Sequence, residues 1–384
     1  MEARLNGIRY ANPRRGLPHT EAKLRAREPV TVAFLGGSIT EGYGAVDPDA
    51  GSWRALTEAY LEERFPLTVF NFVNAGVGGT NSALGAHRLQ EHVFSGGAVD
   101  LLFVEFCVND SEGRGHSEED RIASIRGMEG IVRQCRRISP DTDIVFLYAA
   151  DDKNRNERLP FYAAVHEEVA ARYEIPSVNF VAGVFETVAS GAKRWEQLAP
   201  DGVHPNDEGY SLYAGWLRDF LDRYLRPAAG AAAASEVEPL LPEPLVRDNF
   251  EFARTLGIRE ATSVDRMDWS GEAPIPLINW RYGPEHLYTE QAGAGITFEA
   301  EGRGAGLLLL CGPDTGIFEY SVDEGSFVPY NPFDAWCPGV YRPVLALFPF
   351  REERSVMRVT VRNADGKDER SIGNGLRILR LLAR

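Results

Sequence analysis

Over residues 29–226, short and almost wholly apolar runs alternate with longer amphipathic ones. Val30–Leu35, Val69–Val73, Leu101–Phe106, Ile144–Tyr148 and Ser177–Phe180 are short and apolar nearly throughout, which predicts strands buried on both faces. Between them the apolar positions recur at three- and four-residue steps. In Glu118–Ile138 they are Ile122, Ile125, Met128, Val132 and Cys135, one stripe of a helix. After Asn206 a last helix places Tyr213, Trp216, Leu217, Phe220 and Tyr224 on one face. Strand–helix repetition of this kind predicts a parallel sheet covered by helices on both sides.

The pattern stops at Pro227. Small residues from Ala228 to Ala234, then Pro239, Pro242 and Pro244, read as a linker. Beyond it the periodicity turns to strands: Ile296–Ala300, Leu307–Cys311, Phe318–Val322, Val344–Phe348, Val356–Val361 and Leu376–Leu381. Asp323-Glu324-Gly325 and Asn363-Ala364-Asp365-Gly366 read as hairpin turns. The expected organisation is an N-terminal arm (1–28), an α/β domain (29–227), a linker (228–244) and a β-sandwich, jelly-roll-like, over 245–384.

Composition narrows the function. A chain of 384 residues suits two cores, and a formal charge of −15 disfavours a nucleic-acid partner, which needs clustered Lys and Arg. Cys107, Cys135, Cys311 and Cys337 lack metal-site spacing and read as buried free thiols in a reducing compartment. Residues 1–30 hold no apolar core of signal-peptide length, and no stretch reaches membrane-spanning length. The expectation is a cytoplasmic protein without a membrane partner. Homo-oligomerisation stays open.

Four segments place polar residues just after predicted strands, where open parallel sheets bind ligands. Gly36-Gly37-Ser38-Ile39-Thr40 ends the first strand with two glycines and a serine at a helix start. Alone, Ser38 reads equally as a nucleophile or as a helix cap. The run continues with Glu41-Gly42, and no Gly-Lys-Ser/Thr follows, which excludes a phosphate loop. Neither Gly42-Tyr43-Gly44 nor Gly76-Val77-Gly78 completes a dinucleotide fingerprint. Asn74-Ala75-Gly76-Val77-Gly78-Gly79-Thr80-Asn81 follows the second strand, and Glu105-Phe106-Cys107-Val108-Asn109-Asp110 ends the third. Asp201-Gly202-Val203-His204-Pro205-Asn206 precedes the last helix. An Asp three residues before a His can fix the imidazole tautomer and leave the other nitrogen free to take a proton.

Taken together and in this order, these segments resemble the SGNH, or GDSL-like, hydrolases: Gly36-Gly37-Ser38-Ile39-Thr40 the first block, Gly79 the second, Val108-Asn109-Asp110 the third and Asp201-Gly202-Val203-His204-Pro205 the fifth. The resemblance covers roughly residues 29–226 and implies a flavodoxin-like three-layer α/β fold. It implies a serine esterase, with Ser38, Asp201 and His204 catalytic, Ser38, Gly79 and Asn109 forming the oxyanion hole, and no metal or cofactor. Two positions depart from the pattern: Gly37 stands where the family has Asp, and Cys107 where it has Gly.

Appended β-sandwiches accompany carbohydrate-active members, which points to an acylated sugar as substrate. With no amphipathic lid, a short acyl group, acetyl, is expected. Trp53 and Trp195 are candidate aromatic walls of the site, and Cys107 a residue that narrows it. Trp280, Tyr282, Tyr330, Phe333 and Trp336 are a candidate sugar platform or, equally, core packing. An acyltransferase with the same site and a non-catalytic carbohydrate-binding protein are the rival readings.

Overall fold

The computed structural model describes residues 10–226 and 241–384, so most of the expected linker lies outside the described residues. The chain divides into two units, Met1–Glu251 and Phe252–Arg384.

The first unit runs β1 (Ala11–Asn12), α1 (Pro18–Ala26), β2 (Val30–Gly36), α2 (Ser38–Glu41), α3 (Pro48–Gly51), α4 (Trp53–Arg64), β3 (Phe70–Gly76), α5 (Ser82–His92) and β4 (Leu101–Glu105). It continues with α6 (Cys107–Asp110), α7 (Glu118–Ile138), β5 (Asp143–Tyr148), α8 (Phe161–Arg172), β6 (Ser177–Asn179), α9 (Phe180–Ala189), α10 (Trp195–Leu198) and α11 (Asp207–Tyr224). The sheet order is β1-β6-β5-β4-β2-β3. Every pair is parallel except β1 with β6. From β2 the chain steps one way to β3 and the other way to β4, the flavodoxin-like arrangement, and the crevice at that reversal is where such sheets bind ligands. Val32 to Leu35, Leu101 to Val104 and Ile144 to Tyr148 are buried, as their apolar runs predict. Register aligns Gly36 with both Gly76 and Glu105, so three strands deliver their following loops at one level.

Part of the N-terminal arm docks on this unit. β1 pairs with β6, and α1 is held where the Thr20 N–H donates to Asp143 Oδ2 (2.7 Å). At the other end, residues expected to open the β-sandwich pack on α7. Leu245 and Val246 donate their N–H groups to Glu129, and Glu251 pairs with Arg133 and Arg137. The division after Glu251 follows from these contacts.

The second unit has β7 (Arg254–Leu256), β8 (Ser263–Asp265), β9 (Asp268–Ser270), β10 (His286–Thr289), β11 (Gly295–Gly302) and β12 (Ala305–Cys311). Then come β13 (Gly316–Val322), β14 (Val328–Tyr330), β15 (Arg342–Leu347), β16 (Ser355–Lys367) and β17 (Leu376–Ala383). They form two antiparallel sheets, β15-β12-β17-β10-β9 with β7 on β17, and β14-β13-β16-β11-β8. Phe298, Leu307, Leu309, Phe318, Val359 and Ile378 are among the residues of its buried core. Asp323-Glu324-Gly325 does turn the chain from β13 to β14, with Asp323 and Glu324 at positive φ. Asn363–Gly366 does not turn; it lies inside β16. A register shift between Gly316 and Phe318 absorbs the irregularity, and the Asn363 amide donates to Asn374 O (2.9 Å) instead of closing a turn.

Candidate active site

Ser38 is the first residue of α2, directly after the end of β2. His204 and Asp201 lie in the turn before α11, and the topology brings that turn to the serine. Ser38 Oγ donates to His204 Nε2 at 2.8 Å, and His204 Nδ1–H donates to Asp201 Oδ2 at 2.6 Å. A carboxylate only accepts, so Asp201 puts the proton on Nδ1 and leaves the Nε2 lone pair facing the hydroxyl.

The turn holds Asp201 from several sides. Its Oδ1 accepts the N–H groups of Val203 (2.9 Å) and His204 (2.7 Å). Partial burial pushes the carboxyl up, but the His204 ring and these two amides outweigh it and hold the acid below its usual value. Gly202 sits at φ 83°, where a Cβ would meet Asp152 Oδ2 at 2.3 Å, so the turn demands glycine. The Trp195 indole donates to Gly202 O (3.3 Å) from a buried position.

Of the three donors expected beside the serine, the Ser38 N–H opens α2, the Gly79 N–H lies in the loop after β3 and Asn109 Nδ2 belongs to α6. Among the described residues none of the three has a hydrogen-bond partner. Gly79 is exposed and at positive φ (63°). Its loop is tied down because the Gly78 N–H donates to Glu41 Oε2 (2.7 Å) and the Thr80 hydroxyl to Val77 O (2.7 Å). Asn109 comes from the one-turn α6, not from the strand itself. Its Oδ1 lies 2.0 Å from where a Cβ on Gly37 would stand, so the glycine before the serine makes room for this side chain. Unpartnered N–H groups that face one oxygen can take up a negative charge forming on it.

Behind the donors lies a polar layer that sequence reasoning missed. Buried Arg88 of α5 donates to Ala75 O (2.6 Å), Gly36 O (2.9 Å) and Thr80 Oγ1 (3.5 Å), spanning the ends of β2 and β3. Buried Asp110 accepts from the Ser82 N–H (2.9 Å) and hydroxyl (2.7 Å), the Ser124 hydroxyl (2.6 Å) and His166 Nε2 (2.9 Å). Burial would raise this acid, but the His166 hydrogen bond and its charge bring it down. Buried Glu105 accepts from Thr40 Oγ1 (3.2 Å), and burial pushes its carboxyl up to about 8. Asp110 stands in the third block without a role of its own there, Arg88 and Glu105 had no periodicity or spacing signal, and the burial of all three is set by the fold.

The remaining candidates fall elsewhere. Trp53 and Trp195 are buried and form no wall; Trp53 donates its indole N–H to Ile39 O (3.1 Å) beneath α2. Cys107 does not narrow the site, because its buried thiol turns to Ala149 O (3.2 Å). Thr40 serves Glu105, and Asn81 caps α5 by accepting from the Leu84 N–H (3.2 Å). In the second unit Phe333 is buried and Tyr330 stacks on Phe318, while Trp336 is exposed and Trp280 meets Tyr282 edge-on. All four cysteines are free and buried. Among the described residues no three His, Cys, Asp or Glu side chains converge as metal ligands, and no helix is long and apolar enough to cross a membrane. One aromatic was overlooked: Tyr43, 62% exposed, with its ring centroid 5.1 Å from that of His204.

A hydroxyl, an imidazole and a carboxylate in one hydrogen-bonded line, at the switch point of a parallel sheet, is the layout of an ester hydrolase. Residues 34–212 match the sequence model of the GDSL-like lipase/acylhydrolase family. Among solved structures, a two-domain esterase (CEX) active on acetylated mannans matches at 22% identity and TM-score 0.76, over 94% of this chain and 92% of that one. The same esterase co-crystallised with mannopentaose matches at 23% identity and TM-score 0.72, with the same coverage. At these identities the likeness is one of fold, and it extends over both units. An acetylxylan esterase of Geobacillus stearothermophilus matches 51% of the chain at 19% identity and TM-score 0.42. No curated protein matches the sequence.

Proposed function

We propose that the enzyme removes short acyl groups, acetyl above all, from carbohydrate esters through an acyl-enzyme on Ser38. The observation that carries this is the line Asp201–His204–Ser38, at 2.6 and 2.8 Å. Ser38 Oγ forms a bond to the ester carbonyl carbon as its proton passes to His204 Nε2. The carbonyl oxygen becomes an oxyanion facing the Ser38 and Gly79 N–H groups and Asn109 Nδ2. The ester C–O bond then breaks, and the leaving alkoxide takes the proton from His204. Water attacks the acyl-serine with His204 again as base, and the serine recovers its proton as the acid departs. Asp201 keeps the imidazole in its tautomer and offsets the charge it gains.

The short-acyl part rests on the loops that carry the site. They are rich in Gly, Ser, Thr and Asn, and the side chain bonded to Ser38 Oγ, His204, is polar. The carbohydrate part rests on the two-domain neighbour that acts on acetylated mannans. The test is kcat/KM on acetylated manno- and xylo-oligosaccharides and on nitrophenyl esters from acetyl to palmitoyl. Turnover should peak at acetyl, and Ser38→Ala should lower it about 10³-fold or more while the protein stays folded. A maximum at octanoyl or longer, or a folded Ser38→Ala keeping more than about a tenth of wild-type kcat, would overturn the proposal.

A further inference from the structure

We infer that Tyr43 is a specificity residue which holds the sugar ring of the leaving alcohol. The inference rests on the acyl-transfer reading above and adds which half of the substrate this side chain reads. In that reaction the leaving oxygen must come within hydrogen-bond reach of His204 Nε2, since it takes its proton from there. The carrier attached to that oxygen therefore lies along the imidazole. The acyl carbonyl points the other way, towards the Ser38 and Gly79 amides and Asn109. A side chain beside the imidazole meets the carrier.

Tyr43 is that side chain. Its ring is tilted 49° to the His204 ring at a centroid distance of 5.1 Å. It is 62% exposed, and among the described residues its hydroxyl has no hydrogen-bond partner. The ring thus contributes little to the core, while its backbone is fixed at both ends. The Tyr43 N–H donates to Ser38 O (2.9 Å), and Tyr43 O accepts from the buried Tyr210 hydroxyl (2.5 Å). Gly42 and Gly44, at φ 111° and 92°, turn the chain on either side of it. A Cβ on Gly44 would stand 2.5 Å from Pro205 O and 3.0 Å from His204 Cβ, so this loop is pressed onto the histidine turn. A flat apolar face with a polar tip, held in register with both Ser38 and His204, suits a pyranose, which offers C–H groups on its face and hydroxyls at its edge.

The test compares two acetates that differ only in the alcohol, methyl acetate and a mono-acetylated methyl hexopyranoside, in wild type, Tyr43→Phe and Tyr43→Ala. The quantity read is the ratio of kcat/KM for the glycoside over methyl acetate. Tyr43→Ala should lower that ratio about tenfold, mainly through KM, and Tyr43→Phe should keep it within about threefold. An unchanged ratio in Tyr43→Ala, even with both rates reduced, would show that the ring serves His204 and not the sugar, and the inference would fall. If wild type itself leaves every acetylated glycoside intact, the carbohydrate reading fails first and takes the inference with it. Wild type alone reports that outcome, so the two failures are distinct.

Discussion

Gly37 shows how one missing methyl group shapes the site. Its backbone, at φ −88°, would accept any residue, so only the contact of its Cβ position with the Asn109 side chain makes the position selective. Gly37→Ala should push Asn109 aside and cost about 10²-fold in kcat, the loss expected from removing one oxyanion donor, with thermal stability nearly unchanged. Because both changes act on one donor, Gly37→Ala combined with Asn109→Ala should be little worse than Asn109→Ala alone. Wild-type kcat in folded Gly37→Ala, or a double loss equal to the product of the single ones, would separate the two residues. The local part of this geometry was legible in the sequence: Asp201 and His204 belong to one turn, and three residues set their distance. The meeting with Ser38 depends on the crossing order of the sheet, which spacing alone does not give. Trp53 and Trp195 misled because an aromatic near a motif is as ready to support it from beneath, by an indole N–H on Ile39 O or Gly202 O, as to line it. Tyr43 stood in Gly42-Tyr43-Gly44, a run weighed only as a nucleotide fingerprint; the usable signal was an aromatic on a glycine-hinged loop close after the serine.

At the level of elements, four pieces of structure converge on Asp110: α5 through Ser82, α6 through its own residue, α7 through Ser124 and α8 through His166. Asp110 adjoins Asn109, and Ser82 opens the helix that follows the Gly79 loop. This buried pair therefore ties the two segments that carry the proposed donors Gly79 and Asn109 to the helical layer. Asp110→Asn leaves the shape but removes the charge that His166 and the two serines face. It should cost about 3–5 kcal/mol of stability, as breaking a buried pair does, and lower kcat about tenfold at nearly constant KM, a change of about 1.4 kcal/mol in barrier. Ser124→Ala, on a helix that carries no donor, should lose about 1 kcal/mol and keep its kcat. Denaturant melts together with steady-state kinetics decide it, and full kcat in folded Asp110→Asn would reduce the network to a structural one. This layer was hidden in the sequence for a physical reason. Asp, Ser and His give no periodic signal, and their burial is tolerated only because each supplies another's hydrogen bond. β2, β4 and β5, and β11, β12, β13, β15, β16 and β17 of the second unit, were legible because burial writes itself into the apolar pattern. β1, β7, β8, β9, β10 and β14, of two to four residues each, were too short to show. β3, expected over Val69–Val73 as buried on both faces, is an edge strand with Val69 exposed. The expected turn at Asn363–Gly366 failed where pairing with β11 and β13 outweighed local turn chemistry.

For the whole molecule, the buried acids set how stability depends on pH. Burial raises Glu105 to about 8 and Asp143 to about 6, from ordinary values of 4.5 and 3.8. Between the unfolded and folded values the native state binds more protons than the unfolded chain, so stability falls as pH rises through that interval. Asp110 and Asp100 have the opposite sign: against their burial, partners hold them below the ordinary value, His166 for Asp110, and His19, Lys23 and the Thr31 N–H for Asp100. Their contribution is present above about pH 4 and is lost as pH falls through their folded values. Stability should therefore peak near pH 4–5, fall on the acid side, and decline again towards pH 8. Asp143 is only half titrated at its folded value and completes its change about a unit higher. Beyond about pH 7 the decline therefore belongs to Glu105, joined by His19, whose pKa the Asp100 hydrogen bond raises. Glu105 Oε1 has no hydrogen-bond partner among the described residues, and Thr40 can donate equally to an amide oxygen. Glu105→Gln should thus melt close to wild type at pH 5 and clearly above it at pH 9, by an amount on the order of a few kcal/mol. Thermal melts of both proteins at pH 5, 7 and 9 provide the comparison. Parallel curves for the two would mean that Glu105 keeps its charge in the folded protein, and the assignment of the alkaline decline to this residue would fail.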